Sequence, residues 1–177
     1  GMRFLGPSGD TMRRLGDKIA SKELAESVHV PVTAWSQGCV ESEEAAVRWG
    51  AKIGYPLVVK ASAGGGGRGI RMVESEAGLI DAFRSARSEA RNAFGDDRLF
   101  MEKKVSGGRH IEVQVAADRH GNVVALGCRD CSVQRRHQKV IEEAPPIGLR
   151  PAQLRDLQEC AVRLASHVGY SGVGTVE

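Results

Sequence analysis

The chain has 177 residues, of which 41% are hydrophobic and 27% charged, and its formal net charge is +3. That length and balance suit one packed soluble domain or two small ones and exclude a disordered tail. No apolar run approaches the roughly 18 residues that span a bilayer, no signal-peptide pattern opens the chain, and so small a charge does not by itself argue for nucleic acid.

The opening GMRFLGPSGDTMRRLGDK predicts a short strand, a turn at Gly6-Pro7-Ser8 and a helix carrying Met12, Leu15 and Ile19 at helical spacing. Glu41 to Ile53 reads as a second helix, with Ser42 as N-cap and Gly54 as its stop. Tyr55 to Lys60 is β-rich and enters Gly64-Gly65-Gly66-Gly67, with Arg68 following. Ile70 to Val73 alternates apolar with polar, so the glycines are expected to join two strands as a hairpin. Leu79, Ile80, Phe83, Ala86, Ala90 and Phe94 mark an amphipathic helix. Leu99 to Glu102 is a short strand.

From Arg109 to Ala117, Ile111, Val113 and Val115 alternate with His110, Glu112 and Gln114, so strand period puts the three polar side chains on one face. His120-Gly121-Asn122 is a turn into a strand from Val123 to Gly127. A last amphipathic helix runs from about Pro151 to Val168, with Pro151 suited to its first turn. The order is mixed α and β with antiparallel hairpins.

Two stretches carry charge in patterns that suggest chemistry. A glycine hairpin can turn backbone N–H groups toward phosphate oxygens while Lys60 supplies a point charge; a single arginine-glycine element of the kind found in RNA-binding tails is the other reading of the same residues. It is not a P-loop, because no Gly-Lys-Ser/Thr and helix follow. Arg135, Arg136, His137 and Lys139 crowd into five residues, which suggests an anion site, or else solvated charges paired with Glu142 and Glu143. Between Arg98 and Lys139 nine Lys or Arg stand against four Asp or Glu, concentrating the positive excess in the middle of the chain. Carboxylates beside a polyphosphate site, such as Glu102 and Glu112, are candidates for magnesium or ribose. Of the four cysteines, Cys128 and Cys131 form one CxxC with no second half to complete a zinc site, which favours reduced thiols over zinc or a redox pair.

Taken together, KASAGGGGRGIRMV, RHIEVQV, GNVVALGCRDCSVQRRHQKVIEEAP and the closing GVGTVE resemble the biotin carboxylase family of ATP-grasp enzymes over essentially the whole chain. The resemblance implies an α+β ATP-grasp fold with a mobile α/β lid and part of a mixed, largely antiparallel sheet. It divides the chain into the end of an N-terminal domain with its connecting helix (1–34), a lid (35–105) and the first part of a C-terminal domain (106–177).

The implied reaction carboxylates biotin from ATP and bicarbonate through carboxyphosphate. By the same resemblance Lys18 and Lys60 contact ATP, and Gly66 and Gly67 cover its phosphates. Glu102, Lys103, Lys104 and Val105 flank the adenine, and His110, Gln134 and His137 complete the nucleotide site. Lys139 serves bicarbonate, His137 is catalytic as well as nucleotide-binding, and Glu177 binds Mg²⁺ or Mn²⁺.

Cys128 stands where many relatives have glutamate, and no Met-Lys-Met biotin attachment sequence is present, so biotin is expected on a separate carrier domain. Relatives place a second magnesium glutamate, an asparagine and two arginines beyond the position of Glu177, so the isolated chain is expected to be the inactive centre of a larger enzyme. The expected partners are ATP, bicarbonate, the carrier domain and a carboxyltransferase, with no nucleic acid or membrane; the complete enzyme is expected to be a cytoplasmic homodimer. The alternatives are another ATP-grasp carboxylate ligase, or a regulatory module that binds ATP without chemistry.

Overall fold

The computed structural model describes residues 4–64, 68–135 and 138–177. Where the spacing predicts one opening helix there are two, α1 (Gly9–Gly16) and α2 (Lys18–Ser27). Asp17 makes the break: its carboxylate accepts from the backbone N–H of Ile19 at 3.0 Å and Ala20 at 3.1 Å, which caps a new helix. Apolar period alone does not register such a cap. Phe4 and Leu5 lie in no strand, contrary to the predicted opening strand; its other residues lie outside those described.

The chain forms two compact units. One comprises Arg14–Leu24 and Pro31–Ser106. It contains α3 (Glu43–Ile53), β1 (Leu57–Ala61), β2 (Ile70–Val73), α4 (Leu79–Phe94) and β3 (Leu99–Lys103). The sheet order is β2-β1-β3, antiparallel throughout. Leu57, Val59 and Ala61 point to one face and pack with Leu79, Phe83, Ala86 and Ala90 of α4, all of them buried. Each large apolar side chain here contributes about 1.5–3 kcal/mol. Ser42 caps α3 by accepting from Ala45 N–H, and Gly54 and Gly95 end α3 and α4 at positive φ, as Gly readily does. The predicted hairpin is present, since β1 and β2 pair from Leu57↔Val73 to Lys60↔Ile70. Gly69 (φ +66°) closes it in a place where a Cβ would lie 2.8 Å from that of Ala61.

The other unit comprises residues up to Arg13, Ala25–Val30 and Gly107–Glu177. Its sheet, in the order β6-β5-β4-β7, is built from β4 (Ile111–Ala117), β5 (Val123–Arg135), β6 (Gln138–Glu143) and β7 (Gly172–Val176), and α5 (Pro151–His167) covers one face. Val113 and Val115 lie under Ala161 and Ala165, so the alternation read in the sequence holds. The strand expected to stop at Gly127 runs on to Arg135 and pairs with β6, shifting register between Asp130 and Gln134. The charged run is thus a ribbon at the sheet edge. Every described residue of β6 is exposed, and backbone pairing with β5 and ion pairs rather than apolar packing hold the strand, so hydrophobic alternation carries no trace of it.

Candidate active-site clusters

In the unit containing the hairpin, strand register brings Lys60 and Glu102 together. Val58 lies opposite Glu102 and Lys60 opposite Phe100, so the lysine and the carboxylate are diagonal neighbours on the sheet face turned away from α4. Lys60 pairs with Glu102 Oε1. Lys22 Nζ lies 2.7 Å from Oε2, and the Thr33 hydroxyl donates to that oxygen at 3.2 Å. Burial pushes the Glu102 carboxyl up, but hydrogen bonds from Lys22 and Lys60 outweigh it and hold the pKa below the ordinary glutamate value. The group is a carboxylate at neutral pH.

Lys18, the first residue of α2, donates from Nζ to the carbonyls of Ser62 and Gly64 beside the end of β1. Burial, and then the charge of Lys60, lowers its pKa below the usual lysine range. The neighbouring carboxylate of Asp17 is already paired with Arg98 at 2.9 Å. Lys22 and Lys60 therefore share one carboxylate, Glu102, with the Lys18 ammonium close enough to feel the charge of Lys60, and the cluster has cationic charge to spare for an anion. Lys103 is committed to the carbonyls of Tyr55 and Gly54 at 2.8 and 3.3 Å, Lys104 pairs with Glu74 at 2.9 Å, and Val105 is exposed.

The second cluster is the reverse arrangement. His110, the residue just before β4, and Glu112 within it lie side by side, Glu177 follows β7 in the register Val113↔Val176, and Lys139 reaches across from β6. Lys139 pairs with Glu112 Oε2 and lies 2.6 Å from Glu177 Oε1. Those hydrogen bonds, from Glu112 first and Glu177 second, hold its pKa above the ordinary lysine range. Arg129, opposite Glu112 in register, pairs with Oε1 of that carboxylate, donates to Gln114 at 2.8 Å and lies 3.2 Å from Glu142. Glu112 is 1% exposed. Burial pushes its pKa up, and the bonds from Lys139 and Arg129 more than reverse that, leaving it below the ordinary value. Asp130 is held down to about 2 by Ser132 and Arg109, which pins the irregular part of β5.

Among the described residues His110, Glu112 and Glu177 each bring a donor atom within 4.8 Å of the others, as do Glu112, Cys131 and Glu142. All four cysteines are free. Gln134 donates to the Cys131 carbonyl at 2.8 Å, and the expected phosphate-covering Gly66 and Gly67 and the expected His137 lie outside the described residues. Lys22, Thr33 and Arg129 were not anticipated. Arg129 was discoverable in principle, as a cation with strand parity opposite a buried glutamate; Lys22 was not, because its partner is eighty residues away.

Residues 17–177 match the family described as the carbamoyl-phosphate synthase L chain, ATP binding domain. The chain belongs to that family. It is 46% identical over its full length to the chloroplastic biotin carboxylase 2 of Populus trichocarpa, covering 34% of it. Two solved structures are similar. One is the Campylobacter jejuni biotin carboxylase in complex with β,γ-ATP (TM-score 0.94, 48% identity, 98% of this chain and 39% of that one). The other is the biotin carboxylase domain dimer of Hydrogenobacter thermophilus 2-oxoglutarate carboxylase with MgADP, ADP and bicarbonate (TM-score 0.92, 43% identity, 99% and 39%). The fold of this family member is therefore the α+β ATP-grasp architecture of biotin carboxylases, and the chain spans 15% and 34% of the lengths of the first curated relatives it matches. No helix among the described residues is long and apolar enough to cross a membrane.

Proposed function

We propose that this chain supplies the nucleotide-phosphate and bicarbonate groups of a biotin carboxylase, the ligase that transfers a carboxyl group from bicarbonate to biotin with cleavage of ATP. The observation that carries the reading is the pairing of opposite charge designs. A cationic cluster of Lys22 and Lys60 around Glu102, with Lys18 beside Lys60, suits phosphate, and a carboxylate-rich cluster around Lys139 suits a metal-bridged reaction centre. The likeness to carboxylase structures bearing nucleotide and bicarbonate supports it.

On this reading residues 35–105 form the lid, residues 106–177 the first part of the C-terminal domain, and residues 1–34 the end of the preceding domain with its connecting helix. Lys60 and Lys18 offset phosphate charge, with Gly66 and Gly67 covering the phosphates. Because the ammonium of Lys103 is already bound to main-chain carbonyls, the 102–105 segment serves adenine through its backbone and the exposed Val105. His110, Gln134 and His137 complete the nucleotide contacts. Lys139 neutralises bicarbonate as its oxygen attacks the γ-phosphorus of ATP, a step that forms carboxyphosphate and releases ADP; Glu112 and Arg129 fix the lysine's position.

The donor chemistry of Glu177 beside the buried Glu112 fits Mg²⁺ or Mn²⁺, which takes one or two protein carboxylates and fills its other positions with phosphate and water. When bound, the ion draws charge from the phosphates. Biotin arrives on a carrier domain, a carboxyltransferase uses the carboxybiotin, and the complete enzyme is a cytoplasmic dimer. The test is ATP cleavage by the full-length parent. Release of ADP that requires bicarbonate and is stimulated by free biotin is expected, and cleavage indifferent to both would overturn the reading in favour of another ATP-grasp ligase.

A further inference from the structure

Lys22 is the one lysine of the first cluster to which the carboxylase reading gives no task. It lies one turn after Lys18 on the same face of α2. Its ammonium makes three contacts: Glu102 Oε2 at 2.7 Å, the Thr33 hydroxyl, to which it donates at 3.1 Å, and the Trp35 ring, whose centroid is 5.6 Å away. Thr33 in turn donates to Oε2, so lysine, hydroxyl and carboxylate close a triangle. The stretch carrying Thr33 is itself tied to β3 by its backbone: Trp35 bridges to Glu102, Lys103 N–H donates to the Ala34 carbonyl and Ser36 N–H to that of Met101, both at 2.8 Å. All of these residues belong to one unit.

Lys60 is held differently. It reaches the other carboxylate oxygen, Oε1, its ammonium has no further partner among the described residues, and its side chain is 28% exposed against 17% for Lys22. The ammonium of Lys18 is close enough for the two to repel each other. A buried carboxylate that holds two ammonium groups can release one and stay paired. With a single partner it cannot, because a buried charge left alone is strongly unfavourable.

We infer that Lys22 is a positioning residue for nucleotide binding: together with Thr33 it keeps Glu102 paired through Oε2, which frees Lys60 to exchange Oε1 for a phosphate oxygen of ATP. Lys22 stays where it is, and the exchange moves one ammonium between two oxyanions without transfer of a proton. The bond from Lys22 also does more than that from Lys60 to hold the Glu102 pKa down, as a permanent partner should. Without Lys22, Lys60 would be the one ammonium left to Glu102, and each phosphate contact it made would strand a buried carboxylate. The assignment rests on the ATP of the carboxylase reading, although it holds equally for any ligase that places Lys60 against phosphate.

The test uses the full-length parent, with the Kd for MgATP read by calorimetry in the absence of bicarbonate and biotin, and steady-state kinetics alongside. Lys22→Met is expected to raise both that Kd and the KM for ATP about tenfold, the effect of one charge-assisted contact, while kcat and the KM for bicarbonate change less than about twofold. Adding Glu102→Gln to Lys22→Met is expected to recover most of the lost affinity, because a neutral amide does not retain Lys60 and the backbone of residue 102 is unaltered. Lys22→Gln repeats the measurement should the methionine variant not fold, and circular dichroism checks the fold of each variant. An unchanged Kd, or a fall in kcat with no change in Kd, would overturn the assignment and leave Lys22 a support of the fold. A double variant that binds MgATP as weakly as Lys22→Met would overturn it too, making Lys22 a phosphate contact in its own right. Cleavage of ATP by the unsubstituted parent that ignores bicarbonate and biotin would instead overturn the carboxylase reading, and the Kd comparison would stand.

Discussion

The two charged clusters are built from the same residue types in inverse proportion. Around Glu102 one carboxylate is shared by two ammonium groups, with Lys18 close by; around Lys139 one ammonium is shared by two carboxylates, with Arg129 and Glu142 behind them. Both rely on a glutamate that is nine-tenths or more buried and kept ionised by its donors. The difference lies in what is left over. The first cluster has positive charge to spare and the second has carboxylate oxygens to spare, so by charge alone the first suits an anion and the second a cation.

The comparison breaks most severely if the shared anion is removed. Glu102→Gln leaves Lys22 and Lys60 half-desolvated without a counter-charge and is expected to lower unfolding stability by about 3 kcal/mol, the lower end of the range for a broken buried pair because both lysines keep some water. Urea unfolding measures it, and a loss below about 1 kcal/mol would mean that the cluster is not tightly coupled. Next in size is the division of labour between the lysines. In the full-length parent Lys60→Ala is expected to raise the KM for ATP roughly 10- to 100-fold and Lys139→Ala the KM for bicarbonate by a similar factor, each reflecting one charge-assisted contact. Equal defects toward both substrates would erase the distinction between the clusters.

A smaller effect comes from pH. Glu102 and Glu112 have folded pKa values below the ordinary 4.5, so the stability they contribute is complete above 4.5 and drains away as pH falls through the lowered values. Lys139 has a raised folded pKa, so its contribution is complete below 10.5 and is lost as pH rises through that higher value. Glu112→Gln is therefore expected to flatten both the acid and the alkaline limbs of a stability profile measured by urea midpoints, whereas Glu102→Gln flattens the acid limb. An alkaline limb unchanged by Glu112→Gln would count against the Lys139 network. The smallest effect is expected at Lys104, whose partner Glu74 is largely exposed: Lys104→Ala should change thermal stability by less than about 1 kcal/mol.

Legibility in the sequence followed the range of the interaction. The α4 stripe of Leu79, Phe83, Ala86 and Ala90, the Ser42 cap, the glycine hairpin and the inward Val113 and Val115 were all readable, because each depends on neighbours within a few residues or on a simple period. The break at Asp17 was missed because a capping carboxylate interrupts a helix without interrupting its apolar spacing. β6 was missed because an edge strand held by backbone bonds needs no apolar alternation. In the sites, Lys60 stood out beside the glycines and Lys139 within the basic run, whereas Lys18 and Glu177 had no local signal and were indicated only by family resemblance.

By itself the sequence determined α3, α4 and α5, the strands from β1 to β4, the polar face of β4 and the two regions where charge collects, since helical and strand periods and glycine content act along the chain. Only the tertiary structure decided which charges meet. Register between β1 and β3 brings Lys60 to Glu102, and register among β4, β6 and β7 sets Lys139 between Glu112 and Glu177, residues 27 and 38 positions away from it. Coulomb attraction at hydrogen-bonding distance is what couples these groups, and sequence separation is silent about such distances until strand pairing fixes them.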